Sequence, residues 1–318
     1  MTAPGIAGIQ ETTARVREHV GRVMVGKEEV IDLVLVALLC QGHVLVEDVP
    51  GIGKTTLAKA VARSLGCTFR RIQFTPDLMP SDITGIHYYN QRAGDFQFRP
   101  GPLLAQIVLG DEINRATPRT QAALLEAMEE RQITVDGVTM PLPQPFLVLA
   151  TQNPVELEGT FPLPEAELDR FLLRVRLGYP SEQEEQAMLR RFEEENPLDD
   201  LEPVLSAQDL LAVQQAVRRV HVAEALREYI VRLCRATRVH ASVDLGASPR
   251  ATLALFRTAR AKAALAGRDY VLPDDVKALA VPVLAHRMLL SAQTRLRGRS
   301  TEAIVDEVLH TVPVPVEG

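Results

Sequence analysis

Tryptophan is absent, aromatic residues make up 4% of the 318 residues, and Lys plus Arg (35) are outnumbered by Asp plus Glu (41). So few aromatics leave no stacking platform for single-stranded nucleic acid. A formal charge of −6 provides no global basic field to neutralise phosphates along a duplex. Both shortages argue against nucleic acid as a partner. Cysteine is scarce as well: Cys40, Cys67 and Cys234 are odd in number, widely spaced and without a Cys-x-x-Cys pair, so reduced core thiols are expected. Long apolar runs are missing. The longest, Val30 to Cys40, is too short to span a bilayer and carries Asp32. Met1 to Gln10 has neither a basic n-region nor an apolar h-region, so no signal peptide is expected. These features predict a soluble cytoplasmic protein with no membrane insertion.

What is present divides into two textures. At 46% hydrophobic the chain can bury a sizeable core and is long enough for two domains. Five short β-rich runs, His43–Val46, Thr68–Gln73, Ile107–Leu109, Phe146–Thr151 and Leu172–Leu177, alternate with helical stretches. That alternation predicts an α/β fold, a mostly parallel five-stranded sheet covered on both faces. Beyond Ser181 strand signals fade and helix starts multiply. Ser181 with Glu184 reads as a capping box, Ser206 with Asp209 repeats the pattern, and Ser248 precedes a proline at the first helical position. The expected domains are therefore 1–179, α/β, and 180–318, all-α, with Gly178-Tyr179-Pro180 at the boundary. Residues 85–99 alternate around Ala93-Gly94-Asp95 and 132–140 turn on Asp136-Gly137, which reads as two inserted hairpins.

The first strand runs into Glu47-Asp48-Val49-Pro50-Gly51-Ile52-Gly53-Lys54-Thr55-Thr56 and then a helical stretch. Strand, glycine-bearing loop and helix are what a phosphate cradle requires. Gly51 and Gly53 let backbone N–H groups turn inward, the helix N-terminus adds a positive end, Lys54 can reach the β/γ-phosphates, and the Thr55 hydroxyl can ligate Mg²⁺. One position departs from the usual pattern, because Asp48 stands where a first glycine is expected. An anion there should point away from the phosphates or pair elsewhere. A later strand ends on Asp111-Glu112, which fits Asp111 holding the Mg²⁺ shell and Glu112 acting as general base toward the attacking water. Another ends in Thr151-Gln152-Asn153, where the Asn153 amide could meet the γ-phosphate or that water. The expected chemistry is hydrolysis of a nucleoside triphosphate with Mg²⁺.

Five ordered motifs then carry a resemblance. Gly51-Ile52-Gly53-Lys54-Thr55, Asp111-Glu112-Ile113-Asn114-Arg115-Ala116, Ala150-Thr151-Gln152-Asn153-Pro154, Leu168-Asp169-Arg170-Phe171 and Ser248-Pro249-Arg250 together resemble the MoxR branch of the AAA+ ATPases. The likeness extends from about Val16 to the end. It implies a P-loop NTPase αβα sandwich followed by a helical lid, and adenine as the base. By the same resemblance Asn153 is the first sensor, Arg170 the arginine finger offered to a neighbour, and Arg250 the second sensor from the lid. Arg115, Arg119 and Arg174 are rival fingers. Val25 and Gly26 are the implied adenine-side contacts, and Val49, Pro50, Ile52 and Thr56 complete the nucleotide-binding loop. The family further implies a hexameric ring acting as a chaperone-like motor on a client protein, with a von Willebrand factor A domain partner and a role in metal or cofactor insertion. The hairpins are expected to face the pore or the client. A metal-chelatase ATPase subunit shares much of this motif set. A nucleic-acid motor is disfavoured by the lack of a basic domain, of a helix-turn-helix after the lid and of a Gly-Ala-Phe-Thr-Gly-Ala loop.

Overall fold

The computed structural model describes residues 5–153, 159–193 and 196–315. Helices α1 (Ile6–Val23) and α2 (Glu28–Leu39) lead into β1 (Val44–Glu47), α3 (Lys54–Ser64), β2 (Phe69–Gln73) and the short α4 (Pro80–Thr84). A hairpin of β3 (Gly85–Asn90) and β4 (Asp95–Pro100) precedes β5 (Ile107–Asp111) and α5 (Pro118–Glu130). A second hairpin, β6 (Gln132–Val135) and β7 (Val138–Pro141), is followed by β8 (Leu147–Gln152), the short α6 (Glu165–Leu168) and β9 (Leu173–Val175). Both expected hairpins are present, and Asp136 and Gly137 supply the two positive φ angles, +51° and +80°, of the second turn. The side chains of the two hairpins meet, His87 Nδ1 lying 2.9 Å from Asp136 Oδ2.

Five strands form one parallel sheet in the order β2-β5-β8-β1-β9. Its central strands are apolar on both faces, as parallel strands beneath two helical layers must be. Residues Val44, Val46, Ile107, Leu109, Leu147 and Leu149 pack into one core, while Leu45, Val108, Val148 and Ala150 pack into the other. The split follows the two-residue period of a strand. Edge strand β2 alternates instead and leaves Arg70, Arg71 and Gln73 exposed. The carboxyl ends of β1, β5 and β8 lie side by side, the position at which open parallel sheets bind ligands.

After Gly178 the chain is helical: α7 (Glu182–Arg191), α8 (Ala207–Val217), α9 (Glu224–Val239), α10 (Pro249–Leu265), α11 (Pro273–Leu284), α12 (Ala292–Leu296) and α13 (Thr301–Thr311). One small antiparallel ladder, β10 (Val243–Leu245) with β11 (Leu289–Leu290), interrupts them. The caps form as the sequence suggests. Ser181 and Glu184 close a full capping box, and Ser206 and Ser248 accept backbone N–H bonds at the starts of α8 and α10. The helical half does not pack as a separate body. Leu210, Val213, Leu255, Leu279 and Val305 share one apolar core with α1, α2 and one face of the sheet. The three cysteines are unpaired, Cys234 buried and the other two partly so. No helix among the described residues is long and apolar enough to cross a membrane.

Candidate active site

Beyond β1 the chain passes through residues 48–53 into the N-terminus of α3. Gly51 and Gly53 take φ values of +85° and +93°, where a side chain would be strained, so glycine permits the sharp return of this loop. Lys54, Thr55 and Thr56 form the first turn of α3, at the positive end of its dipole. The Lys54 ammonium donates to the carbonyl of Asp48 at 2.5 Å. Burial lowers its pKa, and the neighbouring carboxylates of Asp111, Asp48 and Glu112 act in the opposite direction.

A cavity of about 360 Å³ opens over this turn, bounded by the loop, by Arg71 from β2, by Asp111 at the end of β5 and Glu112 just after it, and by Asn153 after β8. Pro50, Gly51, Gly53 and Thr56 also border a second cavity of about 570 Å³ with an apolar lining of Val23, Met24, Val25, Ile52, Pro180, Met188, Leu189 and Phe192. The two make one cleft. Its polar end suits phosphates and its apolar end suits a flat base. Gly26, at φ +68°, lets α7 approach closely, since a Cβ there would overlap the Glu184 side chain held in the capping box.

Asp111 and Glu112 are adjacent in sequence yet border the same cavity because the strand stops between them. Glu112 has φ +57° and ψ +49°, a left-handed conformation costing a non-glycine residue about 1–3 kcal/mol. The buried Thr151 hydroxyl secures this turn, accepting from the Glu112 N–H at 2.9 Å and donating to Asp111 Oδ1 at 2.6 Å. Arg71 donates to Asp111 Oδ2 at 2.6 and 3.2 Å. The Gln73 amide donates to Glu112 Oε2 at 2.9 Å, and Arg115 lies 3.3 Å from the same oxygen. Both carboxylates thus sit in fixed orientations. Pro154 of the asparagine motif lies outside the described residues.

The arginines are distributed differently. Arg170 and Arg250 do not border this cleft. Arg170 lines a small cavity together with Ala122, Glu126, Glu129 and Glu130 of α5, and Arg250 donates to Glu129 at 2.9 Å. Asp169 ties the two arginine-bearing segments together. It accepts from Ser248 at 2.8 Å, the cap residue two positions before Arg250, and from Arg287 at 2.8 Å. Arg287 is buried, with burial lowering its pKa to about 10 against the raising effect of Asp169, and it also donates to the carbonyls of Phe171 and Leu172. Arg174 is half-buried and paired with Glu47 (3.2 Å) and Glu302 (2.5 Å), which engages it within its own chain. Arg115 is engaged with Glu112. Arg119 is exposed near the start of α5 and outside the cleft.

Three residues of this arrangement carry no motif of their own, Arg71, Gln73 and Arg287, while Thr151 stands inside the asparagine motif with no role read for it there. The signal for Arg71 and Gln73 is polar residues on a strand that ends beside the phosphate loop. For Arg287 it is a lone arginine in an apolar helix end, which must be paired if buried.

Comparison with known proteins gives the family and the fold. Residues 43–173 match the family described as "ATPase family associated with various cellular activities (AAA)", and residues 235–308 match the AAA lid domain. The protein YeaC of Bacillus subtilis is 54% identical over 300 residues, 94% of each chain. Chaperone MoxR1 of Mycobacterium tuberculosis is 44% identical across 98% of this chain and 85% of its own. A crystal structure from Cytophaga hutchinsonii superposes with a TM-score of 0.92 at 39% identity, covering 98% of this chain and 97% of that one.

Proposed function

Since the chain belongs to the MoxR family of AAA+ ATPases and is an ATP hydrolase, we propose that it hydrolyses ATP with Mg²⁺ in a ring whose active sites are shared between neighbours. Within one subunit, residues 49–56 hold the triphosphate, with Lys54 as its counter-charge, and Val25, Gly26, Tyr179 and Pro180 flank the base. Thr55 and Asp111 offer the hard oxygens that suit Mg²⁺ beside phosphate oxygens and water, so the donor set fits this ion. When bound, the ion neutralises charge on the phosphates. Glu112, held in place by Gln73 and the Thr151 hydroxyl, takes the proton of the attacking water. Asn153 orients that water or the γ-phosphate.

The observation that supports the shared site is that Arg170 and Arg250 lie outside the cleft of their own chain, Arg170 lining a cavity with the acidic residues of α5 and Arg250 paired with Glu129. Arg170 is the finger supplied to the next subunit, and Arg250 accompanies it because Asp169 joins their segments. The ring, six-membered as the family resemblance implies, works in the cytoplasm as a chaperone-like motor. It acts on a client during its assembly, activation or metal or cofactor insertion, together with a von Willebrand factor A domain partner. Tyr88, Tyr89 and Phe96, exposed on the first hairpin, support client contact there. The chelatase reading is weaker, because magnesium-chelatase relatives are only about 30% identical.

The test mixes two inactive variants. Arg170→Ala should bind ATP but lose about 10³–10⁵-fold in rate, whereas Lys54→Ala should keep its finger and lose the nucleotide. In a random equal mixture about a quarter of the interfaces join an intact pocket to an intact finger, whatever the ring size, and activity should return in that proportion. No recovery in mixtures shown by sizing to co-assemble would refute the shared site.

A further inference from the structure

Asp48 replaces the first glycine of the phosphate loop, and its carboxylate has a definite task. It does not border the phosphate end of the cleft. Oδ1 accepts from the N–H of Val49 at 2.9 Å, which curls the side chain back over the loop, and Oδ2 accepts from the N–H of Gly178 at 2.7 Å. The second bond spans 130 residues and joins the loop to the turn that leaves the sheet.

The strand register gives the reason. Strands β1 and β9 are laddered from Val44↔Leu173 to Val46↔Val175, and no backbone pair continues beyond that point. On the other side β1 goes one step further, pairing Glu47 with Gln152, and the Asp48 N–H donates to the Gln152 carbonyl at 3.1 Å. Side chains of β1 take over on the β9 side. Glu47 receives Arg174 and Arg176 at 3.2 and 2.7 Å, and Asp48 receives Gly178. The backbone carbonyl of Asp48 is engaged by Lys54. Its carboxylate therefore supplies the acceptor that a continued ladder would have supplied, and a glycine at this position would have none to offer.

What the bond fixes is the next pair of residues. Gly178, at φ +64°, turns the chain, and Tyr179 and Pro180 then form part of the wall of the apolar end of the cleft. Tyr179 is 75% exposed, so packing holds it weakly. Its carbonyl accepts from Lys27 at 3.4 Å. Both bonds are charge-assisted, and at 2.7 Å the Asp48 bond is much the shorter, hence the stronger.

We propose that Asp48 is a positioning residue that ties the phosphate loop to the Gly178–Pro180 turn and thereby sets affinity for the nucleoside part of the ligand rather than for its phosphates. This rests on the nucleotide reading of the cleft. The test titrates two ligands, magnesium AMPPNP and magnesium tripolyphosphate, into the full chain and its variants by calorimetry. Asp48→Gly should weaken AMPPNP about tenfold, the loss of one charge-assisted bond, and tripolyphosphate no more than about twofold. Asp48→Asn can still offer one oxygen to Gly178, so it should weaken AMPPNP only about threefold. If the glycine variant fails to fold, the asparagine variant carries the same comparison of the two ligands. Tyr179→Ala should weaken AMPPNP alone, and combining it with Asp48→Gly should add little, because both act through one wall. Equal weakening of both ligands, no weakening of either, or losses that multiply in the double variant would each overturn the proposal. Failure of the wild-type chain to bind either ligand would instead overturn the nucleotide reading.

Discussion

Replacing Thr151 with valine should separate catalysis from nucleotide binding. The side chain is fully buried, and its hydroxyl holds the two catalytic carboxylates in register by accepting from the Glu112 N–H (2.9 Å) and donating to Asp111 Oδ1 (2.6 Å). Valine matches its shape and removes both bonds. Leaving an amide without its acceptor costs about 1–3 kcal/mol, and the bond to the carboxylate adds a similar amount, offset because Asp111 keeps Arg71; a net loss of about 2–4 kcal/mol is expected. The kinetic effect is larger than this alone implies. Glu112 occupies a left-handed conformation that is unfavourable by about 1–3 kcal/mol, and the Thr151 hydroxyl is the acceptor that holds its N–H there. Once released it relaxes, and a displacement of about 1 Å at the proton-accepting oxygen lowers kcat about 10²-fold. The phosphate loop is untouched, so ATP affinity should be nearly unchanged. Phosphate release under saturating ATP, AMPPNP titration and urea melts measure the three quantities. Thr151→Ser, which restores the hydroxyl, should recover most of the rate. A valine variant with kcat within about threefold of wild type, despite its stability loss, would refute the reasoning.

Glu112→Gln should retain ATP binding and assembly while turning over far more slowly, since an amide positions water but accepts no proton; wild-type hydrolysis would move the base elsewhere. Arg287→Met should destabilise the fold by about 3–5 kcal/mol in denaturant melts, because it leaves the Asp169 carboxylate without its buried counter-charge. The same variant should lower activity in assembled protein by loosening the segment that carries Arg170, and an unchanged melting curve would count against that anchor. His43 is buried and kept neutral, burial lowering its pKa to about 4. The unfolded chain binds this proton first, so stability should fall as pH drops from about 6.5 toward 4, with a shallower fall in His43→Gln. Equal slopes in the two proteins would assign the acid sensitivity to other groups.

The fold was legible because its signals were local and agreed with one another. All five sheet strands were readable as short apolar runs, and the observed limits differ from the sequence reading by at most two residues at either end. Central parallel strands lose the polar alternation that would mark their faces, so strand order and register were not readable from the runs. They depend on which apolar layer each residue enters, as Leu45 and Val46 do on opposite sides of β1. The sequence boundary at Gly178 coincides with the change from strand to helix. Packing does not divide there, because α1 and α2 share one apolar core with α8 and α10. Helical periodicity shows that a face is buried and is silent about what covers it.

In the site, legibility followed the type of contact. Lys54, Thr55, Asp111 and Glu112 stand in short runs whose backbone context was itself informative, and they border one cavity. The residues that orient them were not legible, since a threonine at the end of β8 or a glutamine on β2 acquires its role only through a neighbour about 40 positions away. Asp48 reverses this relation. It stood out as a departure from pattern, and its partner, a glycine N–H at the far end of the α/β region, is invisible to any side-chain motif. A carboxylate flanking a triphosphate site is electrostatically costly unless its lone pairs are already taken. Here two N–H groups take them and turn the charge away from the cleft. The feature that most disturbed the sequence pattern is thus one that only the three-dimensional pairing of β1 and β9 can account for.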